Sequence, residues 1–269
     1  MPILYDVPTM TEDAWSAADL HMHSTASDGT ATPREILEWV RDETDLAVIA
    51  ITDHNSNAGG LEAARIAVDE GIPVDVIVGQ EVESKSGHII GLWTPQLVRP
   101  GMSACDTVEA IHDQGGFAIA AHPYAPRLWA KAGLDRGDTC TYDATEYDGF
   151  EIANSTPLLF VANWWARAYW RRNAHRLACT GGSDAHILSV IGTSRTLFPG
   201  STAEDLRRAL EERTTKVTLP GISPRRNFRY ARRVPEIMAR DRDRKTREIA
   251  AGIREESAGT GTFKRRSGR

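Results

Sequence analysis

Leu46-Ala47-Val48-Ile49-Ala50-Ile51-Thr52-Asp53-His54 is apolar for six residues and then turns polar for three. An apolar run without alternation is the pattern of a strand covered on both faces, as in a parallel sheet packed under its crossover helices. Its polar end is either a strand meeting solvent or a place where reactive side chains leave the sheet. The same order of strand, break and helix recurs outward from it. A short strand is predicted over residues 17–21, and Thr32-Pro33 supplies an N-cap and an N1 proline for a helix to about Arg41. A helix over 61–70 stops at Gly71, a buried strand follows over 74–79, and a return strand over 88–93. Then come a helix over 105–114, strands over 117–121, 149–153 and 177–180, a Trp- and Arg-rich helix over 158–174 and a last body helix over 202–213.

Strands alternating with helices give a largely parallel sheet or a barrel. His21, Asp53-His54, Glu81, His122 and Asp184 with His186 each fall at or just past the C-terminal end of a predicted strand. Barrel enzymes collect their chemistry on that rim, whereas an open doubly wound sheet gathers ligands at one switch point. An α/β barrel is therefore the expected fold.

His21-Met22-His23 places two imidazoles on one face of a strand, so both can reach one ion, although an isolated pair of this kind carries little weight. Asp28, in Ser27-Asp28-Gly29, reads either as a ligand or as an ordinary turn residue. Glu81 is a carboxylate able to bridge two cations, with Glu83 its rival on the same face. His88 and His122 sit among apolar residues, where a satisfied buried histidine is the commoner finding. Asp184-Ala185-His186 repeats the spacing of the first pair, after a Gly181-Gly182-Ser183 turn that brings backbone close to a ligand. Five histidine-bearing segments at strand ends of one domain outweigh the separate bland readings. His112 and His175 lack that placement and read as surface or packing residues.

The chain has 269 residues, 41% of them apolar, enough for one large domain. It divides into an arm over residues 1–16, a body over 17–223 and a tail over 224–269. The tail holds 15 Lys and Arg against 6 Asp and Glu, a charge of +9; the remaining 17 basic and 31 acidic residues give −14. The tail reads as a solvated, partly disordered extension with a helix over 235–254, or as a basic element that contacts nucleic acid near the cleft. No stretch reaches the roughly 20 apolar residues of a membrane span. Asp6, Glu12 and Asp13 stand where a secretory signal would be basic and apolar, so the expected location is cytoplasmic. Cys105, Cys140 and Cys179, odd in number and far apart, read as reduced thiols.

Asp19-Leu20-His21-Met22-His23-Ser24, Ser27-Asp28-Gly29, Ile51-Thr52-Asp53-His54, Gly79-Gln80-Glu81, Ala121-His122-Pro123 and Gly182-Ser183-Asp184-Ala185-His186, in that order, resemble the PHP family, named for polymerase and histidinol phosphatase. The resemblance spans about residues 17–217. It implies a distorted seven-stranded β/α barrel with two or three divalent metal ions on its rim. It places one on His21, His23, Glu81 and Asp184, a second on Glu81, His88 and His122, and a third on His54, His186 and Asp28. The Ser-Asp-Gly form resembles family phosphoesterases acting on nucleotides and short oligonucleotides.

Phosphate esters resist attack because their oxygens are anionic; clustered cations neutralise that charge and supply hydroxide near neutral pH. The nucleophile is accordingly assigned to a metal-bound hydroxide, with Asp53 orienting a ligand histidine from behind. A mixed nitrogen and oxygen ligand set suits manganese, iron or zinc. Arg127, Asn154 and Arg195 are candidates to hold substrate, Arg because its fork matches phosphate oxygens. Trp164, Trp165, Tyr169 and Trp170 read as packing residues or as a platform for a base. The expected activity is hydrolysis of nucleotides or short oligonucleotides. The alternatives are a phosphatase of a non-nucleotide metabolite of the histidinol phosphate type, a nucleic-acid-binding protein without activity, and a metal-dependent amidohydrolase.

Overall fold

The structure is a computed structural model and describes residues 15–125, 140–157, 159–218 and 223–253. Its strands are β1 (Trp15–Asp19), β2 (Leu46–Ile51), β3 (Asp75–Ser84), β4 (Gly87–Leu92), β5 (Phe117–Ala120), β6 (Gly149–Asn154), β7 (Ala178–Gly182), β8 (Arg195–Pro199) and β9 (Lys216–Thr218). The helices are α1 (Pro33–Glu43), α2 (Ala58–Glu70), α3 (Ala104–His112), α4 (Phe160–Asn173), α5 (Ala203–Glu211) and α6 (Pro224–Ala250).

The strands form one nine-stranded sheet in the order β7-β6-β5-β4-β3-β2-β1-β8-β9. The pairs β1–β2, β2–β3, β5–β6 and β6–β7 are parallel; β3–β4, β4–β5, β1–β8 and β8–β9 are antiparallel. The sheet curls into a nearly closed barrel. Beyond the ends of β1 and β7, Asp184 N donates to His21 O at 2.8 Å and His23 N to Ala185 O at 2.9 Å, with Met22 bridged to Ala185 in parallel. The first and last parallel strands thus meet at the level of the candidate ligands. Two strands exceed the expected seven. In β8 only Thr196 and Phe198 are buried, and β9 has three residues, so neither carries a strong apolar period.

β2 is covered on both faces, as its composition predicts. Ile49 and Ile51 pack outward with Ile36, Leu37 and Val40 of α1 and Ala63 and Ile66 of α2. Val48 and Ala50 point into the barrel with Ile77, Ile90, Ile119 and Phe198. Thr32 caps α1 in a reciprocal box with Glu35, behind Pro33, and Gly71 ends α2 in the left-handed conformation.

Two expectations are corrected. Cys105 is disulfide-bonded to Cys140, across a separation of 35 residues, so only Cys179 keeps a free, buried thiol. The expectation of reduced thiols therefore holds for Cys179 alone. Among the described residues no helix is long and apolar enough to cross a membrane. The tail helix begins at Pro224, eleven residues before the expected Pro235, with Ser223 as its cap; Pro235 lies inside it. Residues 1–14 of the arm and 254–269 of the tail lie outside the described residues.

Candidate metal centre

Most of the predicted ligands lie just past the C-terminal end of a parallel strand; Glu81 lies within β3, and His88 opens β4, which runs antiparallel to β3 and so starts on the same rim. His21 and His23 extend β1 and are almost wholly buried. Gly182 lets His21 close in: a Cβ there would stand 2.4 Å from the His21 Cβ and 2.9 Å from Glu151 Oε1. Three non-glycine residues on the rim, Asn55, His122 and Asp184, have φ of 50°, 27° and 54°. A left-handed backbone is uncommon outside glycine, though Asn, Asp and His adopt it more readily than most residues, and here it re-aims the side chain as the strand ends.

Glu81 is the hub. Its Oε1 lies 2.8 Å from His88 Nδ1 and 2.9 Å from His122 Nε2. Its Oε2 lies 3.0 Å from His54 Nδ1 and 3.4 Å from both His21 Nε2 and His23 Nε2. Asp184 Oδ1 is 3.2 Å from His23 Nε2 and 3.5 Å from His21 Nε2. Asp28 Oδ2 is 3.3 Å from His186 Nε2 and 3.8 Å from His54 Nε2. The side chains fall into four overlapping groups: His23, Asp28, His54 and His186; His21, His23 and Asp184; His21, Glu81 and His122; His54, Glu81 and His88. All nine candidate ligands lie in them. Glu83, the rival carboxylate, turns away to Arg244, 2.9 Å from its Oε1.

The groups fit cations. His21 Nε2, His23 Nδ1, His54 Nδ1 and Glu81 Oε2 are buried, and although His54 Nδ1 lies 3.0 Å from Glu81 Oε2 none of the four makes a hydrogen bond of good geometry, a costly arrangement unless something else satisfies them. Burial alone would raise Asp28, Glu81 and Asp184, yet the surrounding histidines hold all three well below the usual carboxylate range. Burial would lower His21 and His186, but the adjacent carboxylates push His21 well above its ordinary value and His186 up to about 9. His54, where burial dominates, is pushed well down. Side chains that trade protons in this way are ready to exchange them for metal, which requires neutral imidazole and ionised carboxylate.

The supporting residues differ from those expected. Asp53 does not orient a histidine. Its carboxylate accepts from Ser24 N at 2.7 Å, Ser24 Oγ at 2.7 Å and Ser27 Oγ at 2.6 Å, so it fixes the loop that carries Asp28. The histidine-orienting role falls to Glu151, whose Oε1 lies 3.0 Å from His21 Nδ1 while its Oε2 accepts from His122 N at 2.6 Å. Its sequence signal is a lone acid inside the apolar strand Gly149-Phe150-Glu151-Ile152-Ala153-Asn154. Asp19, also unforeseen, accepts from the backbone of Ser183 and Gly192.

Of the substrate candidates, Asn154 is buried and donates to Glu151 at 3.0 Å and to Asp184 at 3.3 Å; it steadies ligands rather than facing the cleft. Arg195 is corrected: it pairs with Asp45, bonds to Gly192 O and does not line the cleft. Arg127 lies outside the described residues. Among the described residues, the cations that line the cleft are Lys85, Arg99 and Lys245. The aromatic group does not line it; Trp164 and Trp165 are exposed, and Trp170 Nε1 donates to Leu177 O. His112 pairs with Asp148 at 2.8 Å, a packing role as expected.

Comparison with known proteins agrees with this geometry. A protein of Methanocaldococcus jannaschii is 38% identical over 149 residues, 51% of this chain and 81% of that one. A 3',5'-nucleoside bisphosphate phosphatase of Chromobacterium violaceum is 41% identical over 78 residues, 28% of this chain and 26% of the relative. The fold is shared with a two-domain protein of Bacteroides vulgatus containing a predicted PHP-like metal-dependent phosphoesterase, at a TM-score of 0.59 and 20% identity over 77% of this chain and 65% of that one. The PHP-associated model matches residues 162–215. The PHP domain model matches residues 19–187, the span that carries all nine candidate ligands, and the chain belongs to the PHP family.

Proposed function

We propose that this PHP-family phosphoesterase hydrolyses nucleotides or short oligonucleotides at a centre of two or three divalent cations. The proposed ligands are His21, His23, Asp28, His54, Glu81, His88, His122, Asp184 and His186. The observation that carries the reading is the convergence of four buried atoms without a hydrogen bond of good geometry, on His21, His23, His54 and Glu81, in one cluster of histidines and carboxylates. A donor set of nitrogen and oxygen without thiolate suits manganese, iron or zinc. When bound, such ions lower the pKa of water and clamp phosphate oxygens for in-line displacement.

The chain's own part is to hold and shield. Glu151 fixes the His21 ring and the His122 backbone together, and Asp53 holds the Ser24–Ser27 loop below Asp28. Thr156 Oγ1 donates to Asp184 Oδ2 at 2.9 Å, which leaves Oδ1 facing the cluster. Lys85, Arg99 and Lys245 line the cleft where substrate oxygens would lie, since ammonium and guanidinium groups bond phosphate through charge-assisted hydrogen bonds. We place the catalytic domain at residues 17–223. The nucleotide substrate class is supported by the nucleoside bisphosphate phosphatase likeness, which covers about a quarter of each chain.

Phosphate release by the purified full chain, loaded in turn with manganese, iron and zinc, is the test. Mononucleotides, nucleoside bisphosphates, short RNAs and histidinol phosphate form the substrate panel. Turnover of nucleotide substrates, lost in Glu81→Ala, is the expected result. Turnover of the metabolite ester alone would move the protein to the alternative phosphatase class, and metal binding without turnover of any ester would remove the phosphoesterase reading.

A further inference from the structure

The cavity over the candidate metal centre measures about 1200 Å³, above the usual range for small-molecule sites. One of its walls is the tail helix. Tyr230, Val234, Ile237, Met238, Asp241 and Lys245 of α6 line it, at the spacing of a single helical face. The arginines that open the basic tail, Arg225, Arg226, Arg229, Arg232 and Arg233, lie elsewhere: all but Arg226 are exposed, and none of the five lines the cavity. The side of the tail turned to the site is mostly apolar.

A polar network holds α6 in place. Arg244 is buried, with its guanidinium 2.9 Å from Glu83 Oε1, 2.6 Å from Glu248 Oε1 and 2.6 Å from Asp241 Oδ1. Asn55, the residue after His54, joins the helix to the rim: its amide donates to Glu248 Oε1 at 3.2 Å while its oxygen accepts from Glu83 N at 3.0 Å. The contact ties α6 to the two strand ends that carry His54 and Glu81. Directional bonds fix position and register in a way that apolar packing alone does not, and breaking a buried ion pair from one side strongly destabilises it.

We propose that α6 is the specificity-determining wall of the substrate cavity. Clamped by Asn55, Glu83, Arg244 and Glu248, it confines the site to small organic phosphates, of about the size of one or two nucleotides, whose base or other flat apolar portion lies against Val234 and Ile237. Long polymers are excluded because α6 closes one side of the cavity with the side chains from Tyr230 to Lys245. The proposal rests on the phosphoesterase reading for its substrate class.

Two variants of the full chain test it. Val234→Trp fills the cavity from the wall. In the metal-loaded protein, calorimetry should show mononucleotide affinity falling at least about tenfold more than affinity for inorganic phosphate. Arg244→Met releases the clamp. It should speed proteolysis within α6 and raise the preference for long single-stranded RNA over a dinucleotide, in kcat/KM or in binding, by about tenfold or more. Should Val234→Trp lose its cooperative melt, Arg244→Met carries the test, with Arg244→Lys expected to restore part of the wild-type preference. Equal use of long RNA and dinucleotide by the wild type, or ratios unmoved in a folded variant, overturns the wall. If nucleotides bind with the expected discrimination but no ester is hydrolysed, the phosphoesterase reading fails and the wall stands.

Discussion

Glu151 shows how much of the centre rests on residues that touch no substrate. One carboxylate orients the His21 ring through Nδ1 and takes the backbone N–H of His122, a residue already held at a φ of 27°. Glu151→Ala should therefore weaken metal binding by about 10–100-fold, the usual loss when a histidine ligand is deprived of its orienting carboxylate. Metal titration monitored by calorimetry checks it, and an affinity equal to wild type would assign Glu151 to packing. A second contrast separates neighbouring acids. Glu81→Ala should abolish turnover and reduce metal content, because its two oxygens face five histidines of the cluster. Glu83→Ala should leave metal content near wild type, since Glu83 contacts Arg244 instead. Metal analysis of both variants decides between them. The ligands were legible in sequence because His, Asp and Glu at apolar strand ends have no packing use. The roles of Asp53 and Glu151 were not, because which histidine a buried acid faces depends on how far each strand is rotated and staggered, and no local pattern records that.

At the scale of elements, the strands buried on both faces were the most readable, since continuous apolarity in Leu46–Ile51 has few other meanings. Ile49→Ala, removing a wholly buried side chain between β2 and its two helices, should lower unfolding free energy by about 2–5 kcal/mol, readable by denaturant titration. A loss below 1 kcal/mol on that titration, of about the size usual for surface substitutions, would mean that the outward face of β2 is poorly packed. β8 and β9 escaped notice because strands at the antiparallel edge are short and only half covered. The α6 start was misplaced because Pro224 and Pro235 can each open a helix, and only the Ser223 cap and the packing of Ile237 and Arg244 choose the first. The Cys105–Cys140 bond was illegible for a related reason: distance along the chain says nothing about distance across the fold. Closing a loop of 35 residues, this bond should contribute roughly 3–4 kcal/mol by restricting the unfolded chain. Thermal melts with and without reductant, compared with Cys105→Ser, check it; identical melts would show that the bond adds nothing.

For the whole molecule, charge and metal are coupled. Residues 1–223 carry −14, and the buried part of that charge is concentrated where Asp28, Glu81 and Asp184 meet six histidines. Asp184, Glu151 and Glu81 push His21 well above its ordinary value, and Asp28 and Asp184 push His186 up to about 9, which favours the protonated ring in both. A divalent cation must displace these protons before it can use the same ring nitrogens. Binding should therefore release protons at neutral pH and tighten as pH rises towards about 9, the direction set by the raised histidines. The same linkage stabilises the fold, because the unfolded chain does not assemble the site. At a free metal concentration one hundred times the dissociation constant, the gain is about 2.7 kcal/mol per site. Melting temperature should consequently climb with added manganese or zinc, fall on chelation, and lose most of its metal dependence in Asp184→Ala. The release itself can be read with an indicator dye in weak buffer during titration. Metal uptake without proton release, or with affinity that falls as pH rises, would mean that the cation sits on groups already ionised and outside this cluster. A melting temperature indifferent to metal, in a protein shown by elemental analysis to have taken it up, would separate the ion from the fold altogether.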